Sequence, residues 1–155
     1  MKYVTYVGHN TDAREEGIRI LETDADSGAF RVLETMRIRD AIYMAVNRAG
    51  TRLYASFLQP GLDPRRTLCG ALASYRIDGA KLVKLNQVRT YLTAACHVSL
   101  APDESSLVFG EYHHSSVGCA AIGPDGAPLR DIGSCTLRSV EPFAVVQPKR
   151  YRIGA

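Results

Sequence analysis

The chain has 155 residues, the size of one ordinary domain and too short for two. Its 46% hydrophobic and 23% charged residues are the balance of a globular chain, which excludes disorder, collagen-like repetition and coiled coil. Nineteen Lys and Arg against sixteen Asp and Glu give a net charge of +3 with the two signs mixed along the chain, so no nucleic-acid partner is expected.

The start, Met1-Lys2-Tyr3-Val4-Thr5-Tyr6, lacks the apolar stretch of a secretory signal and opens the first predicted strand, 2–8. Strands at 16–23 and 29–36 follow, parted by the turn Ser27-Gly28. Next come strands at 41–46, 51–57, 70–77 and 81–89, then at 96–101, 105–112, 116–122 and 127–132. Asp78-Gly79 and Asp125-Gly126 supply the positive φ that tight hairpins demand. A last pair begins at 142–147. Between these runs no segment of 10 to 12 residues keeps a helical period. No apolar run approaches the roughly 18 to 20 residues that cross a bilayer, so no membrane partner and a cytoplasmic address are expected.

The strands repeat. Tyr43 to Ala55 lines up with His97 to Phe109, each half reading as strand, polar turn, strand, and Phe143 to Tyr151 matches His97 to Ser105 with Pro148 in the place of Pro102. Four-stranded units at this period are the mark of a β-propeller, whose blades pack face to face around a channel with the first strand innermost. The expected fold is therefore all-β: a partial β-propeller of consecutive four-stranded antiparallel blades, two complete and two partial. It forms one domain over 1–155, with blade 1 at 2–37, blade 2 at 41–89, blade 3 at 96–132 and the start of blade 4 at 142–155. Closed rings need about four to eight blades. An open stack exposes the apolar faces of its end blades, so self-association through those faces is expected.

Cys69, Cys96, Cys119 and Cys135 form no CxxC pair, and the expectation is small buried apolar filling, with Cys96 set apart because it adjoins His97. GxSxG, HExxH, GxxxxGK[ST] and GxGxxG are all absent, which removes serine hydrolase, zincin, nucleotidase and dinucleotide enzyme as readings. The doublet His113-His114 does not have the i, i+4 spacing of a helical metal pair, and neither metal nor cofactor is expected.

Tyr3-Val4-Thr5-Tyr6-Val7-Gly8, Gly17-Ile18, Ala95-Cys96-His97-Val98-Ser99-Leu100-Ala101-Pro102-Asp103 and Gly110-Glu111-Tyr112-His113-His114-Ser115-Ser116-Val117 resemble the N-terminal blades of the propeller lactonases, the family of bacterial 6-phosphogluconolactonase and fungal carboxy-muconate cyclase. The likeness spans about 130 residues. It implies a truncated N-terminal part of a seven-bladed ring and a lactone hydrolase of carbohydrate metabolism, in the setting of the pentose phosphate route, acting on a small sugar lactone. The chain departs from the family pattern at Pro142-Phe143, where the family carries Pro-His, and over Asp131 to Arg138.

Alternation in a four-stranded meander sends the connections after the second and fourth strands of a unit to one rim. That rim receives His9, Asn10, His97, His113 and His114, together with Arg39, Arg65, Arg66 and Arg138. Opening a lactone needs a base to activate water and a donor or cation for the oxyanion. Histidine, with an ordinary pKa of about 6.5, suits the first role, and the planar arginine fork suits the second or a substrate phosphate. The candidate catalytic residues are accordingly His97 and Glu111. Candidate substrate-binding residues are His9, Asn10, Arg65, Arg66, Tyr112 and His113. The bland reading of the same residues is a hydrogen-bonded channel histidine and a solvated turn. The second class of function is a non-catalytic propeller fragment that acts as a binding module or is an inactive remnant.

Overall fold

The computed structural model describes residues 1–9, 17–60, 68–90, 93–112, 115–126 and 128–136, the last of these by its backbone. Eleven strands run in chain order: β1 (Lys2–Gly8), β2 (Ile18–Asp24), β3 (Phe30–Met36), β4 (Tyr43–Val46), β5 (Arg52–Pro60), β6 (Leu68–Asp78), β7 (Lys81–Arg89), β8 (His97–Leu100), β9 (Ser106–Glu111), β10 (Ser116–Ile122) and β11 (Pro128–Thr136). They make three antiparallel meanders, β1-β2-β3, β4-β5-β6-β7 and β8-β9-β10-β11. No helix occurs among the described residues.

Turn chemistry closes the hairpins as the sequence requires. Asp78 pairs with Lys81 across Gly79-Ala80, and Gly79 has φ +58°. Positive φ at the first central residue alone is the geometry that admits Gly there and an ordinary residue after it.

The second sheet is buried on both faces, which is why β5 and β6 read as almost continuous apolar runs. Alternation along β5 sends Leu53, Ala55 and Phe57 into a cluster with Ile18 of the first sheet. Tyr54, one residue out of phase, packs with Leu72, Val98 and Phe109 of the seam to the third sheet. Two apolar seams thus stack three sheets in a row, and the short strands β4 and β8 lie side by side along one edge of the stack. In each sheet a register shift interrupts the ladder between the outermost strand and its neighbour, at Ile20/Leu21, Ser74/Tyr75 and Cys119/Ala120.

Two strands run further than their sequence pattern. β11 continues to Thr136 because Gly133, Ser134 and Cys135, weak strand formers alone, are held opposite Cys119, Gly118 and Val117. β5 and β6 extend into the insertion, ending with Pro60 opposite Leu68. A proline that ends a strand gives up its N–H at little cost.

Candidate functional site

The strands β4 and β8 lie side by side and begin at one rim of the stack. β8 starts at His97, and residue for residue along the repeat its counterpart on β4 is Tyr43. The two rings meet with centroids 4.7 Å apart at a tilt of 42°. Adjacent first strands bring equivalent positions of neighbouring sheets together, so the repeat that aligned Tyr43 with His97 also carried the signal for this contact. His97 is exposed and Tyr43 is 37% exposed. The pair therefore offers a flat, amphipathic wall with the imidazole edge open to solvent.

The end of β1 reaches the same rim. Gly8 passes so close to the second sheet that a Cβ there would fall 2.4 Å from the Ala41 carbonyl oxygen, and the half-buried His9 follows it, donating its N–H to the Gly17 carbonyl at 2.9 Å. In the connection to β4, Asp40 is buried and carries φ +47°, a left-handed conformation that aspartate tolerates better than most residues. Its carboxylate accepts from Arg39 Nε at 3.3 Å, and a buried carboxylate that orients a half-exposed guanidinium is a ready anion-holding device. Nothing in the sequence pattern singled out Asp40; next to it, the Leu58 N–H donates to the Arg39 carbonyl at 3.4 Å and ties the connection to β5.

Glu111 is placed differently from His97. His97 lies opposite Gly110, while Val98 and Phe109 face each other and are both buried in the seam. By alternation the Glu111 side chain shares the seam face with Phe109, and the His97 side chain takes the other face. Glu111 is buried, its Oε2 accepts from the Ser116 hydroxyl at 3.1 Å, and its Oε1 has no partner among the described residues. The two candidate catalytic side chains are therefore not brought together. Tyr112, beyond the end of β9, is 79% exposed. Asn10, Arg65, Arg66, His113, His114 and Arg138, together with the blade start at 142–155, lie outside the described residues.

Cys96 is exposed and its thiol donates to the Gly110 carbonyl at 3.3 Å, unlike the buried filling expected of the cysteines. Cys69 and Cys119 are half-buried. Among the described residues no three His, Cys, Asp or Glu side chains gather to hold a metal ion. The opposite rim carries a shallow concavity of about 520 Å³ between the turns at Arg48-Ala49 and Pro102-Asp103-Glu104. It lies at the far ends of β4 and β8, away from His97.

The model of the family described as lactonase, 7-bladed β-propeller, matches residues 4–143. Among solved structures, a protein from Bacteroides fragilis named as a 6-phosphogluconolactonase superposes with a TM-score of 0.77 at 19% identity, covering 95% of this chain and 40% of that one. The periplasmic gluconolactonase of Pseudomonas aeruginosa superposes with a TM-score of 0.77 at 22% identity, covering 87% and 39%. A Bacteroides uniformis protein, also named as a 6-phosphogluconolactonase, gives 0.76 at 19% identity, covering 93% and 40%. The chain thus spans about 40% of the length of the solved structures it matches. Comparison with curated protein sequences finds no match.

Proposed function

Because the chain belongs to the lactonase family of seven-bladed β-propellers, we propose that it hydrolyses a sugar-acid lactone, with 6-phosphogluconolactone the first candidate. The observation that carries the reading is the exposed His97 imidazole held against Tyr43 at the rim. In this reading neutral His97 takes a proton from water as the water oxygen attacks the lactone carbonyl. The carbonyl π electrons move onto oxygen, and a cation of the Arg39 kind stabilises the charge. When the carbonyl re-forms, the ring C–O bond breaks and its oxygen leaves with the proton from His97. Water and lactone become one hydroxy acid, and the histidine is regenerated. Arg65 and Arg66 are the proposed phosphate holders, with His9, Asn10, Tyr112 and His113 around the substrate. Glu111, directed to the other face of its sheet, supports the end of β9 through Ser116.

The test is lactone decay measured with the natural protein, with His97→Ala and in buffer alone, since such lactones also open spontaneously. Loss of about 10²- to 10⁴-fold of the protein-dependent rate is expected for removal of a general base. Equal decay in all three samples would overturn the hydrolase. The separation of Glu111 from His97 favours one alternative, a non-catalytic module that binds a sugar on the Tyr43–His97 wall. That module would bind lactone or acid calorimetrically without turnover and would weaken on Tyr43→Ala.

A further inference from the structure

The turns that follow the adjacent strands β4 and β8, residues 47–51 and 101–105, meet at the rim opposite His97. The hollow of about 520 Å³ between them is lined by Arg48 and Ala49 from the second sheet and by Pro102, Asp103 and Glu104 from the third. We infer that this hollow is a binding site in its own right and that it takes a small zwitterion, a molecule of the amino-acid or dipeptide class with one ammonium and one carboxylate.

Turn chemistry fixes both walls. Asn47 Oδ1 accepts the N–H groups of Thr51 and Arg52, each at 2.8 Å, and the Gly50 N–H returns to the Asn47 carbonyl at 2.9 Å. The loop so closed leaves Arg48 and Ala49 exposed at its tip. On the facing wall Asp103 Oδ1 accepts the Ser105 N–H at 3.1 Å and the Ser105 hydroxyl at 2.8 Å. Glu104, half-buried, reaches across, and its Oε1 accepts the Arg48 N–H at 2.6 Å. That bond holds the two turns at a fixed separation.

Opposite charges line this hollow without meeting. Arg48 brings a guanidinium and Asp103 and Glu104 bring carboxylates, yet no ion pair among the described residues includes Arg48. The neighbouring cation is engaged elsewhere: Arg52 Nε donates to the Asp125 carbonyl at 3.2 Å and Nη1 to the Thr51 carbonyl at 3.1 Å. The Ser105 N–H, and then its hydroxyl, hold the Asp103 carboxyl below its ordinary value, so Asp103 is ionised at neutral pH. A ligand whose own two charges run the opposite way is complementary to both walls. Its carboxylate accepts from the Arg48 fork, and its ammonium donates to Asp103 and to the Glu104 oxygen that the Arg48 N–H does not use. A plain anion meets two like charges on the facing wall, and a plain cation meets Arg48. A zwitterion is attracted by both.

The hollow is open to solvent, and exposed charge pairs are worth little in water. Binding should accordingly be weak, with a Kd on the order of millimolar at low salt, and weaker still as salt screens the charges. His97 stands at the other end of β8, a strand of four residues that spans about 13 Å. The inference is therefore independent of the lactonase reading.

Amide chemical shifts of the full chain, followed by nuclear magnetic resonance, test it with three probes of one shape. Glycylglycine carries both charges, N-acetylglycine only the carboxylate and glycylglycinamide only the ammonium. Glycylglycine should give saturable shifts at Arg48, Ala49, Asp103 and Glu104, and each single-charge probe should bind about 2- to 5-fold more weakly, the worth of one exposed charge pair. Arg48→Gln and Asp103→Asn should each weaken glycylglycine by a similar factor. Asparagine still accepts from Ser105, so the turn is kept, and an unchanged amide spectrum away from the two turns verifies that each variant is folded. No saturable shift at those four amides up to roughly 100 mM, far above a millimolar Kd, would overturn the inference. So would single-charge probes that bind as well as glycylglycine, or folded variants that bind it as the natural protein does.

Discussion

Gly70 has no space for a side chain: a Cβ there would lie 1.8 Å from the Thr93 carbonyl oxygen and 2.2 Å from Thr90 Oγ1. The nearer obstacle is backbone, so Gly70→Ala is expected to lower stability by about 1–3 kcal/mol through overpacking, read as a fall in the urea midpoint. Charge acts at single residues too. Glu22 accepts hydrogen bonds from Arg31 Nε at 2.9 Å and Lys2 Nζ at 3.0 Å, which tie β1 and β3 to β2. The Arg31 bond first, and then the Lys2 bond, lower its carboxyl pKa to about 2. A depressed carboxyl stabilises the fold above its unfolded value near 4.5 and loses that contribution as pH falls toward about 2. A Glu22→Gln variant should therefore show a shallower loss of stability over that acid window than the natural protein. Burial raises the Tyr75 phenol, so the opposite sign holds at high pH: its contribution is complete below about 10, the ordinary tyrosine value, and is lost above it. Tyr75 absorbance should stay phenolic until unfolding begins.

Period and turn chemistry were enough to place the strands, because β-branched runs separated by Ser-Gly and Asp-Gly turns leave little freedom in a meander. Their ends were less legible. Extension of β11 through Gly133 and Ser134 depends on β10 as a template, and a template is not visible in the strand's own residues. His97 could be singled out at the start of a first strand, yet its stacking on Tyr43 required the stacking of whole sheets as well as the repeat. Glu111 shows the converse: its rim position follows from chain order, while its direction depends on the register of His97 with Gly110. One buried bond ties the second sheet to the connection that leads into the third, from the Ser56 hydroxyl to the Ala95 carbonyl, both residues being buried. Ser56→Ala leaves that carbonyl unpaired and should cost about 1–3 kcal/mol, with the urea midpoint lowered and the slope unchanged.

Across the whole molecule each sheet packs on its neighbour, with one apolar cluster per seam. Leu53 belongs to the first seam and Leu107 to the second, and both are fully buried. Leu53→Ala and Leu107→Ala should each cost about 2–5 kcal/mol. Because the second sheet takes part in both seams, each substitution should lower one common transition instead of splitting it in two. Separate transitions in circular dichroism and fluorescence would show that the seams melt independently, as the nearest-neighbour energetics of repeat proteins allow.

The interrupted ladders at Ile20/Leu21, Ser74/Tyr75 and Cys119/Ala120 bear on how such a strand-rich chain avoids growing into fibrils. A bulge beside an outermost strand bends and twists that strand, and β7 adds Lys81, Lys84 and Arg89 along its length. A stray extended peptide meeting that perimeter finds a kinked template and like-charged lysines, the two devices that make edge-to-edge addition unfavourable. The straight β1 ladder has no such interruption in its pairing with β2, and in Lys2–Gly8 a single lysine is its one charge. Where misassembly of this chain nucleates, it should therefore begin from the N-terminal strand and not from the perimeter.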